Sequence, residues 1–423
     1  MKQKSPWSWI PTLYFAEGLP YIAVMTLAAI MYKNLGLSNS DIALYTAWFN
    51  LPWIFKALWS PFVDVLKTKR WWILFTQFFV ATVLACVAFS ITTNYWFQIS
   101  FALLFLLAFS SATHDIAADG FYLIVLPIDK QAAFIGIRNT FYRIAMVAGQ
   151  GGLVMLAGIW EKSLNNKHLA WSLIFAVTSG TMLIVAIYHF FILPRKTNDI
   201  QQTTSNISEI FKGYADAFVS FFTKMPLKEL LAALFFILAY RFAEAQIITI
   251  GKLFMLDPLE KGGLGLTTEQ VGQLYGVVGV IALLFGGILG GIAISRNGLK
   301  FWLLPMAIAI SLTDIVYVYF AYALPDSLII INICIFIEQF GYGFGFAAFM
   351  MYLVYVADGK FKTAHYAFCT GLMALGVMLP QMIAGKLQEF LGYKHFFIWV
   401  MISCTLTFVA IFLIKVDKNF GKK

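Results

Sequence analysis

The residues able to do chemistry are the few charges that fall inside long apolar stretches. Stretch 95–126 carries Ala112-Thr113-His114-Asp115-Ile116-Ala117-Ala118-Asp119-Gly120, and stretch 132–159 carries Arg138 and Arg143. A charge in such a setting costs at least ~2.5–3.5 kcal/mol on membrane-insertion scales, so it needs a partner or a task. Asp115 and Asp119 stand i,i+4 and share one helix face. Counted at ~1.5 Å per residue from the turn near Pro127, Asp119 is level with Arg138 and Asp115 with Arg143. Two readings fit. One is a pair of structural ion pairs fastening two helices. The other is a proton-coupling network of Asp115, Asp119 and Arg143 beside His114, with Asp115 as the titrating group and Asp119 as the structural bridge.

Glu17 and Glu338 lie near the middle of stretches 7–33 and 327–356 with no partner nearby in sequence, so both are expected to line a cavity. Tyr14, Arg241, Glu244 and Tyr342 complete that group, although Arg241 and Glu244, at i,i+3, are placed to neutralise one another. Asp314 reads as a structural acceptor facing the bundle, and Lys56 as a boundary residue that snorkels or pairs with Asp64. Phe340-Gly341-Tyr342-Gly343-Phe344-Gly345-Phe346 fits either close helix packing or a bendable, aromatic-lined gate. The four cysteines lie in apolar runs without a CxxC pair and read as small core residues. Neither a metal nor a cofactor is expected, and no nucleophile–base pair suggests an enzyme.

The elements that must position these groups follow from composition. Charged residues make up 12% of the 423, against about 25% in a soluble domain, and 61% are hydrophobic. That excludes a water-soluble enzyme, a disordered chain and a disulfide-stapled secreted domain. Twelve segments are long enough to cross a bilayer: 7–33, 40–62, 71–92, 95–126, 132–159, 168–193, 227–252, 268–294, 300–322, 327–356, 363–386 and 394–415. With Glu17 at its middle and no cleavage site after it, the first reads as a retained span and not as a signal peptide. Assigned to alternating loops, 19 basic residues fall with the termini, seven on the opposite side and four within spans. Positive residues stay in the cytoplasm, so both termini are expected there, and the net charge of +9 speaks to topology and against a nucleic-acid partner.

The polar connection between spans six and seven divides the chain into a bundle over 1–194, a linker over 195–226 and a bundle over 227–423. Within the linker, 207–222 has the periodicity of an amphipathic helix, either lying on the membrane or solvated. Three short matches recur at nearly constant offset: Phe15-Ala16-Glu17 with Phe242-Ala243-Glu244, Leu44-Tyr45 with Leu274-Tyr275, and Tyr122-Leu123 with Tyr352-Leu353. They indicate two related six-helix halves.

Gly291-Ile-Ala-Ile-Ser295-Arg296-Asn297-Gly298-Leu299-Lys300 resembles the G-x-x-x-D-R-x-G-R-[RK] loop of the major facilitator superfamily, with Ser295 in the usual Asp position. The matching loop, Ser60 to Arg70, keeps Asp64, Lys67 and Arg70 but not the glycines. In that superfamily the loop latches the halves in the outward-facing state. Asp64, Lys67, Arg70, Gly291 and Arg296 are the latch residues this implies. Tyr14 to Pro20, Lys56 to Asp64, and Ala112 to Gly120 are similar to the superfamily's peptide/acetyl-CoA/drug transporter branch, as is Tyr142-Arg143 with Gly149. His114 stands where that branch more often has Gln. The resemblance implies an all-α secondary transporter with twelve transmembrane helices in two pseudo-symmetric six-helix bundles, monomeric and lodged in a bacterial inner membrane. The expected cargo is a peptidoglycan fragment, a muropeptide or amino-sugar–peptide, taken up with protons. A siderophore or other chelate is the alternative cargo. A membrane acyltransferase or a non-transporting sensor is the alternative class.

Overall fold

The computed structural model describes residues 5–126, 128–195, 207–359 and 361–422. Among them there is no strand. Ten helices are long and apolar enough to cross a membrane, from Pro6–Asn34 to Ala364–Leu413. Two features raise the number of spans to twelve. The second span is a pair of helices, Asn39–Trp48 and Leu51–Val65, interrupted at Phe49–Asn50. The last helix, Lys362–Leu413, holds two spans that part at Gly392, whose φ of +70° suits a residue without a Cβ. Helix starts follow from local chemistry. Ser38, Thr68, Asn166 and Thr267 each accept a backbone N–H of the first turn through the side chain, and Thr267 with Gln270 closes a capping box.

The chain forms two compact units. The first comprises Met1–Leu35 and Phe55–Lys212. One of its cores gathers Trp9, Leu13, Tyr14, Ile73, Phe121 and Tyr122 from spans one, three and four. Span one carries a π-helical turn at Ala23–Leu27 and span five another at Val147–Leu153, local unwinding that recurs at functional sites. Arg70 caps the end of span six, donating through Nη2 to Phe190 O at 2.6 Å and through Nε to Leu193 O at 3.3 Å.

The second unit comprises Gly36–Ile54 and Gly213–Lys423, so it includes the first half of span two. Asn39 Nδ2 there donates to Gln388 Oε1 at 2.8 Å and to Asp257 Oδ2 at 3.1 Å, while Tyr393 donates to the same Asp257 oxygen. Gly385 admits this contact, since a Cβ on it would meet Asn39 O and Ser40 Cα at 2.5 Å. Helix Ile207–Thr223 docks by its second part: Ala217 and Phe221 are buried, Ala217 O accepts from His365 Nε2, and Phe218 meets Phe368 edge-on. The side chains of Ile207, Ile210, Phe211 and Tyr214 lie outside the described residues.

Three expectations change. Span ten is one unbroken helix, Leu328–Ala357, and its glycines are packing surfaces. A Cβ on Gly341 would strike Ala309 O and Thr313, on Gly343 the Leu283 carbonyl, and on Gly345 Ile310 and Met306 O. The bendable-gate reading therefore gives way to close packing against spans eight and nine. On span eight, Gly291 faces open space, and the neighbouring helix approaches at Gly286 and Gly290 instead. Of the cysteines, Cys369 and Cys404 are buried but Cys86 is exposed.

Candidate functional site

The charges of the first unit converge. Lys56 Nζ and Asp115 Oδ2 form an ion pair at 2.7 Å, and Arg138 Nη2 and Asp119 Oδ1 form another at 2.7 Å. Tyr14 donates its hydroxyl to Asp119 Oδ1 at 3.0 Å, and its ring lies 4.5 Å beneath the Arg138 guanidinium, which also stacks 5.3 Å from Tyr122. Glu17 stands beside Asp115 and Asp119 in the same cluster, and its Oε2 is buried with no partner among the described residues. Helix geometry explains the grouping. Tyr14 and Glu17 are one turn apart on span one, and Asp115 and Asp119 one turn apart on span four.

Asp119 thus meets Arg138 as its depth required, but Asp115 meets Lys56 and not Arg143. Arg143 is half-buried in span five. Lys56 lies in the second half of span two and reaches Asp115, so contact decides over depth; the Asp64 side chain, its other expected partner, lies outside the described residues. The cluster holds three carboxyls (Glu17, Asp115, Asp119) and two cations (Lys56, Arg138). Carboxyls crowded together resist ionising at the same time, and a single proton leaves this cluster neutral.

His114 is buried, at 2% exposure, and bonds to a polar group of span three. Its Nε2 lies 2.9 Å from Gln77 Nε2, Gln77 Oε1 lies 2.9 Å from His189 Nδ1, and His189 Nε2 lies 2.8 Å from Thr12 Oγ1. With Gln77 Oε1 accepting from His189, the amide N–H donates to His114 Nε2. A neutral His114 then carries its proton on Nδ1, which has no partner among the described residues. Sequence reasoning missed Gln77, His189 and Thr12, because single polar residues in three different spans carry no spacing signal.

In the second unit Arg241 and Glu244 pair at 2.8 Å across the helix start in span seven, and Arg241 Nη2 donates to Tyr342 Oη at 3.0 Å. The guanidinium also lies 5.1 Å from the Phe346 ring centre. Glu338 is buried and accepts from Gln339 Nε2 at 2.9 Å. Tyr275 and Tyr317 join hydroxyls at 2.8 Å, and Lys252 lies 5.9 Å over the Tyr275 ring.

Of the latch residues, the Asp64 side chain lies outside the described residues. Lys67 and Arg296 are exposed. Beside Arg296, Gly298 adopts a φ of +84° against Lys418 O, and Leu299 N donates to Phe420 O at 2.9 Å, so this loop is tied to the tail of the chain.

Comparison with known proteins gives this geometry a family. A putative transporter named AmpG 4 from Rickettsia conorii is 27% identical over 417 residues, covering 95% of this chain and 94% of the relative. The anhydromuropeptide permease of Escherichia coli is 25% identical over 408 residues, covering 92% and 75%. Among solved structures, a D-xylose–proton symporter superposes with a TM-score of 0.72 at 11% identity, covering 98% of each chain. The nucleoside transporter NupG superposes with 0.69 at 16% identity, covering 96% and 98%. These two speak to the fold alone. The model of the Major Facilitator Superfamily matches residues 12–384, so the chain belongs to that superfamily and is a multi-pass membrane transporter for a small-molecule substrate.

Proposed function

We propose that the protein imports a peptidoglycan fragment of the muropeptide class across a bacterial inner membrane by alternating access, driven by protons, as a monomer with both termini in the cytoplasm. The cargo is supported by relatives named anhydromuropeptide permease and AmpG that align over nearly the whole chain. The orientation is supported by the excess of basic residues in the loops that share a side with the termini.

The observation that carries proton coupling is the one carboxyl in excess of cations in this cluster: Glu17 keeps a buried, unpartnered Oε2, while Lys56 holds Asp115 Oδ2 at 2.7 Å. Lys56 holds Asp115 as the anion, which leaves Glu17 as the carboxyl that takes and releases the proton. A movement that separates Glu17 from Asp115 and Asp119 takes negative charge away from it and changes how tightly the proton is held. Asp119, clamped by Arg138 and Tyr14, is the fixed end of the cluster. Arg241 and Tyr342 in the second unit, with Glu338 and Glu244 behind them, are the polar face we assign to the cargo.

Uptake of labelled anhydromuropeptide into proteoliposomes tests this reading. Glu17→Gln is expected to abolish accumulation driven by a pH gradient while keeping counterflow exchange, which moves no net proton. Loss of both activities in folded protein would make Glu17 a binding or structural residue. Unchanged pH-driven accumulation would remove it from coupling.

A further inference from the structure

Span nine breaks in the middle. Helix Leu299–Leu312 ends and helix Ile315–Ala323 begins around Thr313–Asp314, without a proline or glycine at the break. The backbone closes the gap with tight turns, Val316 N to Thr313 O at 3.2 Å and Tyr317 N to Asp314 O at 3.1 Å. Asp314 is 2% exposed, and its Oδ2 has no partner among the described residues. The groups facing it are Glu338 from span ten, Glu244 from span seven, Tyr317 from its own span and Cys404 from span twelve. Glu244 is already paired with Arg241, and the cation facing Glu338 is Lys252. Among the described residues, Asp314 Oδ2 itself meets no donor.

An ionised carboxylate with that burial, an idle oxygen and acidic neighbours is not a stable arrangement in a membrane. A proton on the idle oxygen removes the charge without moving any atom of the fold. Breaks in a span near the midplane are also where transporters place ion and proton sites. We propose that Asp314 is a second proton-binding site, housed in the second unit and separate from Glu17 in the first. The second unit then repeats the balance of the first: Glu244, Asp314 and Glu338 stand with Arg241 and Lys252, and one proton brings the set to neutrality. Of the two sets only Glu17 and Glu244 correspond, at 227 residues, and Asp314 has no counterpart in the first cluster.

Infrared spectroscopy of the full-length protein in lipid nanodiscs near neutral pH reads undissociated carboxyls directly, through the acid carbonyl stretch and its shift in heavy water. Asp314→Asn is expected to lose one acid band that survives in Glu17→Gln. Identical acid bands in wild type and Asp314→Asn would overturn the proposal, as would a band that disappears when sodium chloride is added, which would mark a metal-cation ligand. Should Asp314→Asn fail to fold, carboxyl-13C aspartate labelling of the wild type and of Asp119→Asn decides. An isotope-shifted acid band is expected in both, and its absence from either overturns the site. None of these readings needs transport, so failure of pH-driven uptake would count against the proposed function and leave this site standing.

Discussion

Lys56 is the residue that most changes the chemistry of the first cluster. It comes from span two, enters the bundle beside span four, and gives Asp115 a counter-ion at 2.7 Å with both side chains largely out of water. Removing one partner of such a pair leaves a charge without compensation, which costs about 3–5 kcal/mol for full burial and less here, where about a quarter of the lysine side chain is exposed. Lys56→Met should therefore lower the unfolding temperature clearly, and the double variant Lys56→Met with Asp115→Asn should recover most of the loss. Thermal unfolding of purified protein measures both. A double variant as unstable as the single one would show that Lys56 matters through packing and not through Asp115.

At the scale of elements, glycine placement decides how closely spans eight and ten approach. A Cβ on Gly290 would meet Ala347 Cβ at 2.7 Å and Phe344 O at 2.9 Å, whereas one on Gly291 meets nothing within 4 Å. Gly290→Ala is expected to destabilise by about 1–3 kcal/mol through overpacking. Gly291→Ala should stay within about 0.5 kcal/mol of wild type, as surface changes usually do. Fluorescence-detected thermal stability of the two variants is the measurement, and equal losses would refute the packing register. The residue that the loop motif singles out is thus the exposed one, and its neighbour holds the helices together.

For the whole molecule, alternation between two states requires a contact that one state has and the other lacks. In the latch we propose, Asp64 with Lys67 and Arg70 in one half corresponds to Arg296 in the other, following the motif in both loops. Arg70 is also committed to the end of span six, which anchors that loop to its own bundle. Asp64→Ala is expected to shift the population toward the inward-open state, reducing transport with the protein still folded. Labelling of cysteines introduced at the outer side should fall, and an unchanged labelling pattern would remove Asp64 from the latch.

Much of this was legible in the sequence because it depends on distance along the chain. Span lengths follow from apolar run length, which is why 268–294 and 327–356 return as Thr268–Asn297 and Leu328–Ala357. The Asp119–Arg138 pair follows from equal depth on two consecutive antiparallel spans, and the Arg241–Glu244 pair from a single helical turn. The second half of each answer needed the tertiary structure. Depth says nothing about rotation around a helix axis or about which third span stands alongside, so Asp115 could not be assigned to Lys56, nor Gly290 preferred to its neighbour. Gln77 joins two histidines from spans four and six, and Asp314 lies at a break that no proline or glycine announces. Run length, recurrence along the chain and residue type give the spans, the two related halves and the inventory of buried charge. Packing decided which of those charges meet, because a side chain's partners are chosen by the azimuth and contact of several helices at once, and no single stretch of chain encodes that choice.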